Sequence, residues 1–404
     1  MDPPLFLLMN VLSSFTSYRD LPRLWGGSFM PLAFIGRLPT SMIIIGVLTL
    51  VTRHHGVSSA AVSSAVLAIA TGIGQPLIGQ WTDRAGQRLP FLILGPVNAA
   101  TLIGLVAVTE LGQPFSDVLV FCALVGFTTT PVGALMRIRW YSVAKTPKTI
   151  ATAMSYETVA DELNFVLGPA IVGILATTLS PSTPLILSAV IAATCVTTLG
   201  VHRSAPTTSS KVEGTPSPAL WRTVTLVAAS LLAMLCLGSY FGSMQTSTTA
   251  AAEGFGSASY AGLIYAAMGA GAAITALSAV AIPEQISQPA RIAISGIILA
   301  ILVPIAPLTN SPWQLAGILF LLGLAIGPAS VAMFTLASRR APRGGDGVAM
   351  TALGAANVGG VAIGAALAGQ LLKTELAYAF WVAAGSALVM GLIGLIAALR
   401  DRSR

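Results

Sequence analysis

Charge is what this sequence has least of. Of its 404 residues, 9% are charged and 55% are hydrophobic, whereas a soluble domain carries about 25% charged residues. Mean hydropathy is +0.83. Such a chain cannot cover a water-facing surface, which excludes a soluble enzyme of this length. Cysteine and histidine are scarce too, at three each. Cys122, Cys195 and Cys236 lie in apolar runs without metal-ligand spacing, so they read as buried thiols and no metal site is expected. No Gly-x-x-x-x-Gly-Lys-Ser/Thr loop occurs, so ATP-driven transport has no support. No nucleophile with a partnered base occurs either, and neither enzyme activity nor a cofactor is expected. The net charge of +7 is scattered in pairs over short loops and forms no basic face for nucleic acid.

What the chain does have is long apolar runs. At ~20 residues per crossing, twelve spans fall near 28–52, 58–80, 90–109, 117–137, 151–178, 183–201, 222–246, 257–281, 290–308, 313–337, 346–372 and 377–399. The fold class expected is therefore all-α membrane protein. Residues 1–26 read as a cytoplasmic or interfacial lead-in, 27–201 as one six-helix bundle, 202–221 as a Ser/Thr/Pro-rich cytoplasmic linker, and 222–404 as a second bundle. Lys and Arg crowd one side, leaving only Arg53 and Lys373 opposite. By the positive-inside rule, both termini are cytoplasmic. Arg137 and Arg139 close the fourth span and read as headgroup anchors.

The halves also resemble each other. Ala153-Met154-Ser155 recurs as Ala349-Met350-Thr351 at an offset of 196, which also pairs Gly168 with Gly364, Gly173 with Gly369, and Asp161 with Asn357. An offset of 197 pairs Pro131 with Pro328, Gly72 with Gly269, and Gly74 with Gly271. A same-orientation duplication of six helices accounts for these matches, and parallel halves are a transporter arrangement.

The loop between spans 2 and 3 reads Gly79-Gln80-Trp81-Thr82-Asp83-Arg84-Ala85-Gly86-Gln87-Arg88. Gly79 permits close helix approach, Asp83 can cap or accept from the other half, and Gly86 permits a tight reversal. Arg84 and Arg88 suit the membrane surface. The loop resembles the signature of the major facilitator superfamily; the matching loop of the second half, near Ile282 to Arg291, lacks the pattern. In span 5, Gly168-Pro169-Ala170-Ile171-Val172-Gly173 is similar to the Gly-Pro element of the drug:proton antiporters in that superfamily. Tyr156, Ala160 and Asn164 stand where that motif has glycines. Gly168, Pro169 and Gly173 also suit simple helix packing. The resemblance implies a twelve-helix major facilitator fold of two pseudo-symmetric bundles, with the Gly79–Arg88 loop as a conformational gate.

Ionisable residues inside a span cost roughly 2.5–3.5 kcal/mol and are functional candidates by default. Arg37 lies within span 1; Glu157, Asp161 and Glu162 lie in the first half of span 5. At ~1.5 Å per residue, Asp161 is about 13 Å deep, near the depth of Arg37, so an ion pair is reasonable. Glu157, Asp161, Asn164 and Gly168 form one helical stripe, expected to line a cavity; Glu162, Phe165, Pro169 and Gly173 form another, expected to pack. Glu157, nearest the cytoplasm, is the third proton-coupling candidate, with a plain interfacial charge as its alternative reading. Asp161 is expected to be the main proton carrier, with Glu162 second and Arg37 as counter-charge; the alternative is a static lock between helices 1 and 5. Asn164, Asn357 and Tyr240 are expected in the substrate cavity. The expectation is a monomeric cell-membrane transporter that exports small, largely apolar organic molecules in exchange for protons. Proton-coupled uptake of a polar metabolite, such as a sugar or organic acid, is the alternative.

Overall fold

A computed structural model describes residues 18–402 apart from 20, 145, 206–217, 258–259, 280–281 and 284. The lead-in up to residue 17 and most of the linker lie outside the described residues. Among the described residues, twelve helices are long and apolar enough to cross a membrane. In chain order they are α1 (Phe29–Gly56), α2 (Ser58–Ala85), α3 (Arg88–Glu110), α4 (Phe115–Val143), α5 (Thr149–Thr178) and α6 (Thr183–Val201). The second half has α7 (Ala228–Gly254), α8 (Ala261–Ser278), α9 (Gln288–Leu308), α10 (Pro312–Arg340), α11 (Asp346–Leu371) and α12 (Leu376–Asp401). The start of α1 and the end of α12 lie on one face, the terminal end. Helices are the element this composition demands, because hydrocarbon offers backbone amides no partner.

Most spans match the sequence reading within a few residues. The seventh differs most: a short helix, Leu220–Leu226, precedes Ala228–Gly254 as a separate element. The fourth runs on to Val143 past both arginines, with a break at Thr129–Pro131. Asn98 of α3 covers this break, donating to Val125 O at 3.1 Å and Thr128 Oγ1 at 2.9 Å.

Glycine sets the helix contacts in both halves, and equivalent helices meet at the matching glycine in each, one turn apart on the partner helix. A Cβ on Gly126 of α4 would strike Leu67 O of α2; one on Gly323 of α10 would strike Met268 O of α8. The halves meet along two seams, α2 against α11 and α5 against α8. On the first, a Cβ on Gly79 would collide with Thr351 Oγ1 and Gly347 O. On the second, Gly269 faces Val166.

Candidate functional site

Between the seams lie two adjoining cavities of about 100 and 80 Å³. Glu162, Phe165, Phe241 and Asn357 border both. The first also takes in Arg37, Gln75, Arg137, Asp161 and Asn164, and the second reaches Pro169, Tyr265 and Met268. Both halves contribute walls.

Arg37 is 1% exposed and held on α1 between two carboxylates of α5. Its Nη2 donates to Glu157 Oε2 at 2.7 Å and its Nη1 to Asp161 Oδ1 at 3.0 Å. Glu157 is fully buried, and its second oxygen accepts from Trp140 Nε1 at 2.7 Å. This corrects the reading of Glu157 as an interfacial charge: helix α5 begins early enough, at Thr149, to carry it inside. The other oxygen of Asp161 lies 2.8 Å from Arg137 Nη2, an ion pair not aligned for a hydrogen bond. Gly133 makes room for it, since a Cβ there would stand 2.7 Å from Asp161 Oδ1.

Arg137 therefore does not anchor headgroups. It is 1% exposed, and its guanidinium lies 3.7 Å from the ring centroid of Phe334 on α10. The offset of 197 that relates Pro131 to Pro328 also relates Arg137 to Phe334, so the two face each other across the pseudo-symmetry axis. Arg139 is internal as well, fully buried and donating to Gln87 Oε1 at 2.8 Å, Ser204 Oγ at 2.7 Å and Leu199 O at 3.0 Å. Hydropathy ends a span at its first arginine, whereas here the helix continues for six more residues and its arginines turn inward. The signal present in the sequence is spacing: Gly133, Arg137 and Trp140 share one helical face.

The two stripes of α5 do not divide into a cavity face and a packing face: Asp161 and Asn164 of the first border the first cavity, as expected, and so do Glu162 and Phe165 of the second. Asn164 also accepts from Ser41 Oγ at 3.0 Å, and Gly168 packs on Ser41, so the first stripe meets α1 as well. Glu162, Phe165 and Pro169 face the cavities. The physical reason is the ion network, which turns Glu157 and Asp161 towards Arg37. Glu162 itself has neither an ion pair nor a hydrogen bond among the described residues. A Cβ on Gly173 would meet nothing within 4 Å, so it is not a packing glycine. Tyr240 is fully buried in the core of the second half, with its hydroxyl 3.6 Å from Met268 Sδ, and does not border either cavity. Gln75 is a site residue that the sequence reading does not single out: it lines the first cavity, 2% exposed, with its Oε1 unpartnered.

The signature loop closes the first seam at the terminal end. Asp83 Oδ1 accepts from Gly347 N at 2.7 Å and Oδ2 from Val348 N at 3.0 Å. These are free amides at the start of α11, where the helix dipole also favours a carboxylate. Gly86 takes φ 73°, and Arg84 and Arg88 are exposed.

A family model described as Major Facilitator Superfamily matches residues 29–357. The chain belongs to the Major Facilitator Superfamily and is a multi-pass membrane transporter. Its fold is similar to that of the human organic anion transporter MFSD10 (TETRAN), at 16% identity and TM-score 0.65 over 98% of this chain and 100% of that one. It is also similar to a bacterial homologue of the iron transporter ferroportin in the outward-facing state, at 16% identity and TM-score 0.68 over 93% and 99%. These identities speak for the fold alone. No curated protein matches the chain.

Proposed function

We propose that this transporter exports small, largely apolar organic molecules in exchange for protons, and that Glu162 takes up and releases the proton. The observation that carries this reading is the contrast between neighbouring carboxylates. Glu157 and Asp161 are committed to Arg37, Trp140 and Arg137. Glu162, one residue further on, borders both cavities without a fixed partner. A carboxyl that lacks a permanent counter-charge is free to change protonation as its surroundings alternate. Glu162 thus takes the role first expected of Asp161, while Asp161 and Arg37 form the frame that orients α5 against α1. The apolar substrate class rests on the Phe165, Phe241, Phe334, Met234 and Met268 surfaces around it. The Lys/Arg distribution supports cytoplasmic termini.

Transport by protein reconstituted in liposomes, under an imposed pH gradient and with a panel of lipophilic dyes, tests the proposal. Glu162→Gln should abolish uphill movement and leave downhill exchange measurable. Inverted and right-side-out vesicles then give the direction. Accumulation against a gradient by Glu162→Gln would remove the residue from the coupling step.

A further inference from the structure

The two seams between the halves are closed differently at the terminal end. On the α2–α11 seam, Asp83 caps α11 through Gly347 and Val348. Pseudo-symmetry would place the same device on the α5–α8 seam, using the loop after α8. The offset of 197 puts Ala276 in the place of Gly79 and Val280 in the place of Asp83. In the sequence, the position that matches Asp83 therefore carries no carboxylate. Beside this second seam, a cleft of about 820 Å³ opens between the halves, lined in part by Met154, Ser155, Ala279 and Val331.

The chain ahead of α1 enters this place. Tyr18 Oη donates to Leu277 O, in the last turn of α8, at 2.9 Å. Leu21 is 1% exposed and belongs to an apolar cluster that joins Trp140 and Met154 of the first half to Ala276, Ala279 and Val331 of the second. The other end of the segment is fixed to the first half: Arg203 Nε donates to Trp25 O at 3.0 Å, and the Trp25 ring lies 6.2 Å from that of Phe29. Burial pushes the Tyr18 hydroxyl up to about 12, so it stays a donor at any physiological pH. A loose lead-in would show neither the burial nor the bond across 259 residues.

We infer that Tyr18 and the turn Leu21–Trp25 are a strap that closes the α5–α8 seam at the terminal end, in place of the Asp83-type gate that the second half's sequence does not keep. The strap is anchored on the first half and must release Leu277 and the Leu21 cluster each time that end opens. It is thus a positioning element of the transport cycle, and this role rests on alternating access, not on proton coupling or direction.

Distances between spin labels test this on the full chain in lipid nanodiscs, with Cys122, Cys195 and Cys236 replaced by serine. One label pair, at positions 149 and 278, spans the seam at the terminal end; another, at 179 and 260, spans it at the opposite end. Leu21→Ala should raise the open-to-closed ratio at the terminal end about tenfold, and Tyr18→Phe about threefold. Leu21→Met, which keeps the apolar volume, should leave it unchanged. Because the seams are separate, the effects of Leu21→Ala and Asp83→Asn should multiply. Opening at the terminal end should accompany closure at the other pair. The strap is overturned if Leu21→Ala and Tyr18→Phe leave the 149–278 distances as in the wild type, or if both pairs widen together, which would mean general loosening.

Discussion

The same helix pair is joined in two ways in the two halves. In the first, α1 and α5 are tied by charge: Arg37 lies between Glu157 and Asp161, and Ser41 bonds Asn164. In the second, α7 and α11 are joined by close backbone approach. A Cβ on Gly238 would strike Asn357 O, one on Gly242 would strike Val361 O, and one on Gly364 would strike Ser239 O. Where the first half has Asp161 with two arginines, the second has Asn357 with a 3.7 Å contact to Met234 Sδ. One duplicated scaffold thus assigns ion chemistry to one half and leaves the other a smooth wall. A buried ion pair gives α1–α5 a fixed orientation at a desolvation cost, while glycine contacts let helices pack tightly without any polar group to satisfy.

The largest effect should come from breaking the charged joint on one side only. Arg37→Met leaves Glu157 and Asp161 without their shared partner, and losing one side of a buried pair costs roughly 3–5 kcal/mol. Thermal unfolding in detergent should show that loss. Adding Glu157→Gln and Asp161→Asn to Arg37→Met should recover much of it. A single variant as stable as the wild type would mean that the joint is not structural.

The second half should respond to volume, not to charge. Gly364→Val forces a side chain against the Ser239 backbone, and overpacking of this kind costs typically about 1–3 kcal/mol. Asn357→Leu, which removes a weak sulfur contact, should cost much less in the same unfolding measurement. If Asn357→Leu proves the worse of the two, the second half also depends on a polar joint and the comparison fails.

A smaller effect is expected where the halves touch. Phe334→Leu removes the ring beneath Arg137, a contact of about 0.5–2 kcal/mol. It should weaken the closed state without unfolding either bundle, seen as faster alkylation of a cysteine placed at Ser330. An unchanged rate would show that Arg137 serves its own half alone. Smallest of all should be Gly173→Ala, since open space surrounds that position; a change within about 0.5 kcal/mol is expected. Gly168→Ala, which meets Ser41, should cost clearly more, and equal costs would contradict the packing described.

Most of the architecture is legible in the sequence because lipid leaves so few options. Apolar runs of sufficient length must be helices, and the repeat from Ala153 to Ala349 fixes two like halves. The Arg37–Asp161 pair is legible because two ionisable groups at one depth need each other. Four things are not. The end of α4 is hidden because arginines that turn inward look, in hydropathy, the same as arginines that face the headgroups. The facing of α5 is hidden because it depends on Arg137, which hydropathy assigns to the surface. Tyr240 resembles a cavity residue because a hydroxyl in a span suggests function, whereas here it is packed against Met268. Burial of Leu21 depends on a partner surface formed by helices far along the chain, which no local pattern reveals.

The central claim is that Glu162 exchanges the proton while Asp161 remains in its ion network, and infrared difference spectroscopy during a pH titration tests it most directly. The carboxyl band that rises as pH is lowered should vanish in Glu162→Gln and persist in Asp161→Asn. If the band instead survives in Glu162→Gln and is lost in Asp161→Asn, the proton belongs to the charged joint and the assignment of roles along α5 is reversed.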